Sequence, residues 1–225
     1  MPKPKRSPEE IESVREDIMK HALDLIIQNG YDGFSMPKLG ARLGVAAKTI
    51  YNYFHNQDEL YLGLLTKGFE QLHSELSQAM DKFDDPRDRL RALVGAYVNF
   101  GFENQNIYNL MFTWHVPKAN DYIGTPMEPT AQNELESALK CGELFWDVIS
   151  ECLGNPPDAE NVLREEFIPI WSYMHGYVAG INNTLLTYVH EAPLSLKKAV
   201  VDRIARHAQS DLAALRKRLQ LKKIP

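Results

Sequence analysis

The stretch at positions 40–61, "GARLGVAAKTIYNYFHNQDELY", decides the fold. It sets Tyr51, Tyr53 and Phe54 within four residues, beside Lys48 and Thr49 and just after a short apolar pattern of helical spacing. Gly40 reads as the place where two short helices approach closely, Gly44 as the turn between them, and Val45 as the plug of their angle. Ile50 then turns inward with Leu39 and Leu43, leaving Ala47, Lys48, Thr49, Tyr51 and Tyr53 mainly outside. Two short helices on a tight turn make a helix-turn-helix, whose second helix enters the major groove of DNA. The outer residues suit that task. Lys48 can reach a phosphate or a guanine edge, Thr49 and the tyrosine hydroxyls can donate to phosphate, and Ala46 and Ala47 allow close approach. The rival reading is a packed helical hairpin with aromatic filler.

Charge distribution sharpens the choice. The 225 residues carry 25 basic and 30 acidic side chains, an acidic balance that by itself disfavours phosphate binding. Yet residues 33–57 hold Lys38, Arg42 and Lys48 and no acid, bracketed by Asp32 and Asp58, and residues 1–6 hold Lys3, Lys5 and Arg6. A local cationic patch on an acidic body is the expectation. The chain has no apolar run of the roughly 20 residues a membrane span needs, and "MPKPKRSPEE" lacks the apolar stretch of a signal peptide. Two cysteines, Cys141 and Cys152, cannot form a disulfide framework or a zinc site of their own; a reducing, cytoplasmic setting is expected.

Outward from the opening stretch, helical periodicity dominates. Ser7, Pro8 and Glu10 mark a helix start, Ile11, Val14, Ile18, Ala22, Leu25 and Ile26 form its stripe, and Asn29-Gly30 stops it. Ser35 caps the next helix, with Pro37 in its first turn, and presents backbone N–H groups that can face a phosphate. Asn56 caps a long helix with Asp58 and Glu59 in its first turn. "DKFDDPR" (81–87) breaks the pattern, further helices are expected near 86–103, 105–116 and 129–153, and "HVPKANDYIGTPMEPT" (115–130) is the longest loop. Two long helices, over 159–191 and 195–219, finish the chain. The spacing predicts an all-α fold of about nine helices: a short-helix head at residues 8–56 and a larger helical body at 57–225.

"GYDGFSMPKLGARLGVAAKTIYNYFHNQDELY", preceded by Ile18, Ala22, Leu25 and Ile26, resembles the N-terminal DNA-binding domain of TetR-family transcriptional regulators. The likeness spans residues 11–62 and sets Gly30, Phe34, Leu39, Leu43, Gly44, Val45, Thr49, Ile50, Tyr51, Tyr53, Phe54, Glu59 and Leu60 in register. It implies a three-helix DNA-binding head, a ligand-binding dimeric body and, in most members, repression. Carried over by position, Thr49 and Tyr51 contact phosphates, Tyr53 lies near the DNA backbone, Ala47 and Lys48 face bases, and Ser35 starts a helix; Lys38 joins them as a candidate contact. Three positions depart from the pattern. Gly40 replaces the usual Ala, Ala46 the usual Ser, and Gln57 a Lys whose loss removes about one phosphate contact. Lys3, Lys5 and Arg6 either compensate through the minor groove or form a solvated tail.

In the body, "IPIWSYMHGYVAG" carries Trp171-x-x-x-His175-Gly176, similar to a subclass of TetR-type C-terminal domains marked by Trp, His and Gly on the penultimate long helix. "NQNIYNLMF" (104–112) fits the same subclass. Trp171 and His175 share one helical face; His175 either donates to a ligand's carbonyl or carboxylate or is a core histidine. With Tyr97, Phe100, Met111, Phe112, Trp114, His115, Phe145 and Trp146 they can line a mostly apolar small-molecule pocket, or be plain core. Residues 117–130 are its candidate lid.

Phe167, Ile170, Met174, Val178, Ile181, Leu185 and Val189, and Val200, Ile204, Ala208, Leu212, Leu215 and Leu219, are expected to form a four-helix seam between two copies. The implied partners are a palindromic duplex, a largely apolar effector and a second copy of the chain, with no membrane, cofactor or metal. His73, His115, His175 and His207 are isolated, and no metalloprotease, phosphate-loop or nucleophile-elbow motif occurs, so no catalytic constellation is expected. A DNA-binding architectural protein without effector remains the alternative.

Overall fold

In the computed structural model, which describes residues 6–221, Ser7 opens α1 (Pro8–Asn29) with a reciprocal cap. Its side chain accepts from the Glu10 amide at 3.2 Å, while the Glu10 carboxylate accepts from the Ser7 amide at 2.7 Å. Gly30, at φ 72°, ends the helix and returns its N–H to the Ile26 carbonyl at 2.8 Å. Then follow α2 (Met36–Leu43), α3 (Ala47–Ile50), α4 (Gln57–Met80), α5 (Pro86–Glu103), α6 (Gln105–Phe112), α7 (Glu128–Leu153), α8 (Glu160–Asn182) and α9 (Lys197–Leu221). Single 3-10 turns lie at Ala119–Tyr122, Leu185–Tyr188 and Pro193–Leu196. Among the described residues the fold is all-α, with nine α-helices and no strand.

These elements pack as two units. The first comprises the described residues through Gly68 together with Trp114–Glu136. Its core closes around Ile18, Ala22, Leu25 and Ile26 of α1, Leu39 of α2, Ile50 of α3, and Phe34, Phe54 and Leu60, all buried. Val45 does not plug the angle between α2 and α3 as expected: it is 40% exposed. Gly40 does the work instead, because a Cβ there would lie 2.8 Å from the Val45 carbonyl oxygen. With no side chain at Gly40 the two helices close on each other directly, and no plug is needed.

The second unit comprises Phe69–Thr113 and the chain from Ser137 onward. In it α5 packs on α8, α9 and α6, burying Leu90, Leu93, Val94, Tyr97, Val98 and Phe100. Arg89 of α5 pairs with Glu151 of α7 at 2.6 Å, and Arg91 with Asp202 of α9 at 2.5 Å. Burial pushes the Cys141 thiol up to about 12 and Cys152 up to about 11, so both are inert, unpaired thiols.

Two expectations about the last helices are corrected. The helix expected over 159–191 ends at Asn182. Asn183 turns its amide to the Ala179 carbonyl at 2.9 Å, and Thr184 adopts φ 61°; short polar side chains compete with the helical ladder. Leu185 and Val189 therefore leave the stripe for an exposed connection. Part of the expected seam turns inward: Ile170, Met174 and Val178, with Ile204, Ala208 and Leu212, are buried within the chain, while Phe167, Ile181, Val200, Leu215 and Leu219 stay partly exposed. Helical period fixes a shared face but not which neighbour claims it, and α5 takes these two. The outer face of α8 instead shows Ile168 and Tyr173, 61% and 62% exposed.

Candidate nucleic-acid interface

Gly44 sets the interface. At φ 68° and ψ 26° it takes the left-handed conformation that ends α2, and Val45 returns its N–H to the Gly40 carbonyl at 2.9 Å. Chain direction is thereby fixed into α3, a single turn. Ala46 offers α3 no side-chain cap, and the Thr49 amide returns to the Ala46 carbonyl at 2.8 Å. Ile50 is fully buried, and its inward turn puts Lys48, Thr49 and Tyr51 on the open side, Tyr51 at 49% exposure. Ala47 is half-buried, because its backbone lies against Gly40.

The cations of this region differ in their freedom. Lys38 donates to the Gly33 carbonyl at 2.6 Å, drawing its ammonium back over its own turn. Arg42 donates to Asp24 at 3.2 Å and Gln28 at 3.1 Å. Lys48 makes no such bond among the described residues and stands exposed beside Thr49 and Tyr51. Ser35 caps α2, accepting from the Lys38 amide at 3.5 Å. Tyr53 is half-buried, with the Arg6 guanidinium 5.9 Å from its ring centre; Lys3 and Lys5 of the same basic segment lie outside the described residues.

Arg15 escaped the sequence reading. It sits on α1, donates to the Tyr53 carbonyl and covers the Phe54 ring at 4.1 Å, clamping the chain just past α3. Nothing in its local sequence signals this, since the partners are 38 residues away. Gln57 is the first residue of α4. Behind it, Asn56 accepts from the Glu59 amide at 2.7 Å, the expected cap, and the Glu59 carboxylate accepts from the His55 amide at 2.6 Å.

In the second unit, Tyr97, Phe100, Met111 and Phe145 are buried. Trp171 and His175 stack with ring centres 4.8 Å apart and planes 8° apart. A hydrogen-bonded chain runs from the Tyr97 hydroxyl to that of Tyr108 at 3.1 Å and on to His175 Nδ1 at 2.8 Å. Phe112 packs on the Tyr108, His175 and Trp171 rings at 5.0, 6.0 and 6.3 Å. Burial lowers the His175 pKa and raises those of both tyrosines, so the chain is uncharged at neutral pH. When Tyr108 donates to Nδ1, the imidazole keeps Nε2–H as a donor for an external acceptor. Phe145 belongs to a separate group with Phe167, at 5.2 Å. Trp114 and His115 fall in the first unit, whereas this cluster belongs to the second. Asn109, adjacent to Tyr108 on α6, was not singled out by the sequence; its buried Oδ1 has no partner among the described residues.

The described residues hold no group of three or more His, Cys, Asp or Glu placed to bind a metal ion, and no helix long and apolar enough to cross a membrane.

Comparison with known proteins adds two family matches. Residues 18–64 match the model described as bacterial regulatory proteins, tetR family. Residues 90–211, more than half of the chain, match the tetracyclin repressor-like C-terminal domain. The HTH-type transcriptional activator FasR of Mycolicibacterium smegmatis is 30% identical over 141 residues, covering 62% of this chain and 60% of that protein, so the match spans under two thirds of that relative's length. A protein of unknown function from Rhodococcus sp. RHA1 superposes with a TM-score of 0.68 at 21% identity, over 95% of this chain and 99% of that one. The regulator FadR from Bacillus subtilis, solved with stearoyl-CoA, does so at 0.63 and 15%, over 84% and 97%. The fatty acid degradation regulator FadR from Bacillus halodurans gives 0.62 and 17%, over 90% and 97%. At these identities the solved structures establish the fold.

Proposed function

The chain belongs to the TetR family of DNA-binding transcription regulators, and from that premise we propose that it is a ligand-responsive repressor whose operator affinity falls when a small molecule enters its C-terminal body. Residues 8–56 are assigned to DNA reading and 57–225 to effector binding and dimerisation. The observation that carries the reading is the open side of α3, where Lys48, Thr49 and Tyr51 stand together in a segment free of acids from residue 33 to 57. Thr49 and Tyr51 serve as phosphate donors, Lys48 and Ala47 as base-facing residues, and Tyr53, Ser35 and Lys38 as flanking contacts. A two-fold homodimer places two such helices about 34 Å apart, matching a palindromic operator.

For the effector, the neutral Tyr97–Tyr108–His175 chain beside Trp171 and Phe112 supports a largely apolar molecule with one acceptor group for the imidazole N–H. Long-chain acyl thioesters are the class proposed for it, a reading supported by the FadR neighbour from B. subtilis having been solved with stearoyl-CoA. Effector binding acts by changing the population of settings of α4, whose residues belong to both units. A second reading, activation, is favoured by the relative named as an activator.

The test is to enrich a duplex from a random pool with the purified protein and titrate stearoyl-CoA against the complex. Enrichment of a palindrome and its release by the thioester support the proposal; a bound complex indifferent to acyl thioesters removes that effector class. Footprints overlapping promoter start sites favour repression, and footprints upstream of them favour activation.

A further inference from the structure

The segment between α6 and α7 carries no regular helix beyond one 3-10 turn, yet it packs with the DNA-reading head. Three hydrogen bonds tie it there, and a fourth, from Tyr31, shares the Asp58 oxygen. Tyr122, nearly fully buried, donates to Asp58 Oδ1 at 3.2 Å. Tyr31, on the turn between α1 and α2, donates to the same oxygen at 2.8 Å. Tyr61 of α4 donates to the Pro117 carbonyl at 2.9 Å, and the Asn56 amide reaches the Met127 sulfur at 3.3 Å. The Tyr31 and Tyr61 rings meet edge to face at 4.7 Å, closing the group. Asp58 thus holds three pieces of chain at once: the first turn of α4, the turn that launches α2, and a segment more than sixty residues away in sequence.

We propose that residues 114–127 form a strap that positions the DNA-reading head, with Tyr122 as its positioning residue acting through Asp58 and Tyr31. This rests on the DNA-binding reading above. The two anchoring points flank the helix-turn-helix on both sides in sequence, at residues 31 and 58, so fixing them fixes the setting of α2 and α3 before DNA arrives. A head held in one setting loses less conformational freedom on binding. Burial raises the Tyr31 pKa and pushes Tyr122 up to about 12, so both hydroxyls keep their protons and remain donors throughout the physiological range. The strap also starts at Trp114, the residue after Thr113 that closes α6, and α6 carries Tyr108 and Phe112 of the aromatic cluster.

The experiment compares wild type with Tyr122→Phe, Asp58→Asn and Asp58→Ala. Amide exchange across 114–127 is measured without DNA, and Kd for a duplex enriched by the wild type is measured over a salt series. Tyr122→Phe keeps the buried ring and is expected to speed exchange in the strap and weaken binding about fivefold, the scale of one hydrogen bond. The slope of log Kd against log salt stays unchanged, since no phosphate contact is lost. Asp58→Asn keeps an acceptor oxygen and stays within about twofold of wild type, whereas Asp58→Ala loses at least as much as Tyr122→Phe. Unchanged exchange and Kd in Tyr122→Phe overturn the proposal, as does faster exchange with unchanged Kd. If Asp58→Ala does not fold, Tyr122→Phe decides. If the wild type enriches no duplex, the DNA-binding reading fails while exchange still tests the strap.

Discussion

At the residue scale, Lys48, Thr49 and Tyr51 show what one turn of helix can separate. Ile50 between them is fully buried, and the 100° step of an α-helix sends its neighbours to the open side. That division was legible from the apolar spacing of Leu39, Leu43 and Ile50. Thr49→Ala and Tyr51→Ala are expected to weaken binding to every duplex by a similar factor, about fivefold each, because phosphate contacts carry no sequence information. Lys48→Ala should in addition flatten the preference among operator variants, measured by competition between the enriched duplex and single-base changes. Equal preference before and after would remove Lys48 from the base-facing set. His175 gives a pH prediction. Its folded pKa lies below the ordinary imidazole value of 6.5 because burial disfavours the imidazolium. The unfolded chain then binds more protons below that value, so stability is present above pH 6.5 and declines as pH falls through it toward the folded pKa. Melting temperature followed from pH 7.5 to 5.5 should fall less steeply in His175→Phe than in wild type.

At the element scale, α2 and α3 depend on two glycines for different reasons. Gly44 adopts φ 68°, which Ala tolerates poorly; Gly44→Ala is expected to cost about 1 kcal/mol in denaturant unfolding. Gly40 has an ordinary backbone but no room, since its Cβ would sit 2.8 Å from the Val45 carbonyl. Gly40→Ala is therefore expected to push α3 outward and lower both the unfolding midpoint and DNA affinity. A Gly40→Ala protein with wild-type affinity would mean that the close approach is dispensable. The caps at Ser7, Ser35 and Asn56 were readable because capping is local chemistry. The clamp of Arg15 on Tyr53 and the shared carboxylate of Asp58 were not, because their partners lie 38 and 64 residues away and leave no periodic trace.

At the scale of the whole molecule, a regulator reading a palindrome needs two copies, and gel filtration is expected to give a particle of twice the 25.7 kDa chain. Ile168 and Tyr173, exposed on the outer face of α8, test whether that face joins the copies: Ile168→Asp together with Tyr173→Glu is then expected to shift the particle toward one chain mass at micromolar concentration, with unchanged helicity. A dimer that persists would place the contact elsewhere. Sequence alone determined the helical character, the caps and glycine turns, and the inward or outward facing of residues along each short helix, because all of these follow from interactions within a few residues. Only the tertiary structure decided which neighbour claims each apolar face, that Ile170, Met174 and Val178 are buried on a helix packed against α5, and that residues 114–136 pack with the described residues through Gly68. Period and composition describe a surface; what covers it depends on how distant segments compete to exclude water from it.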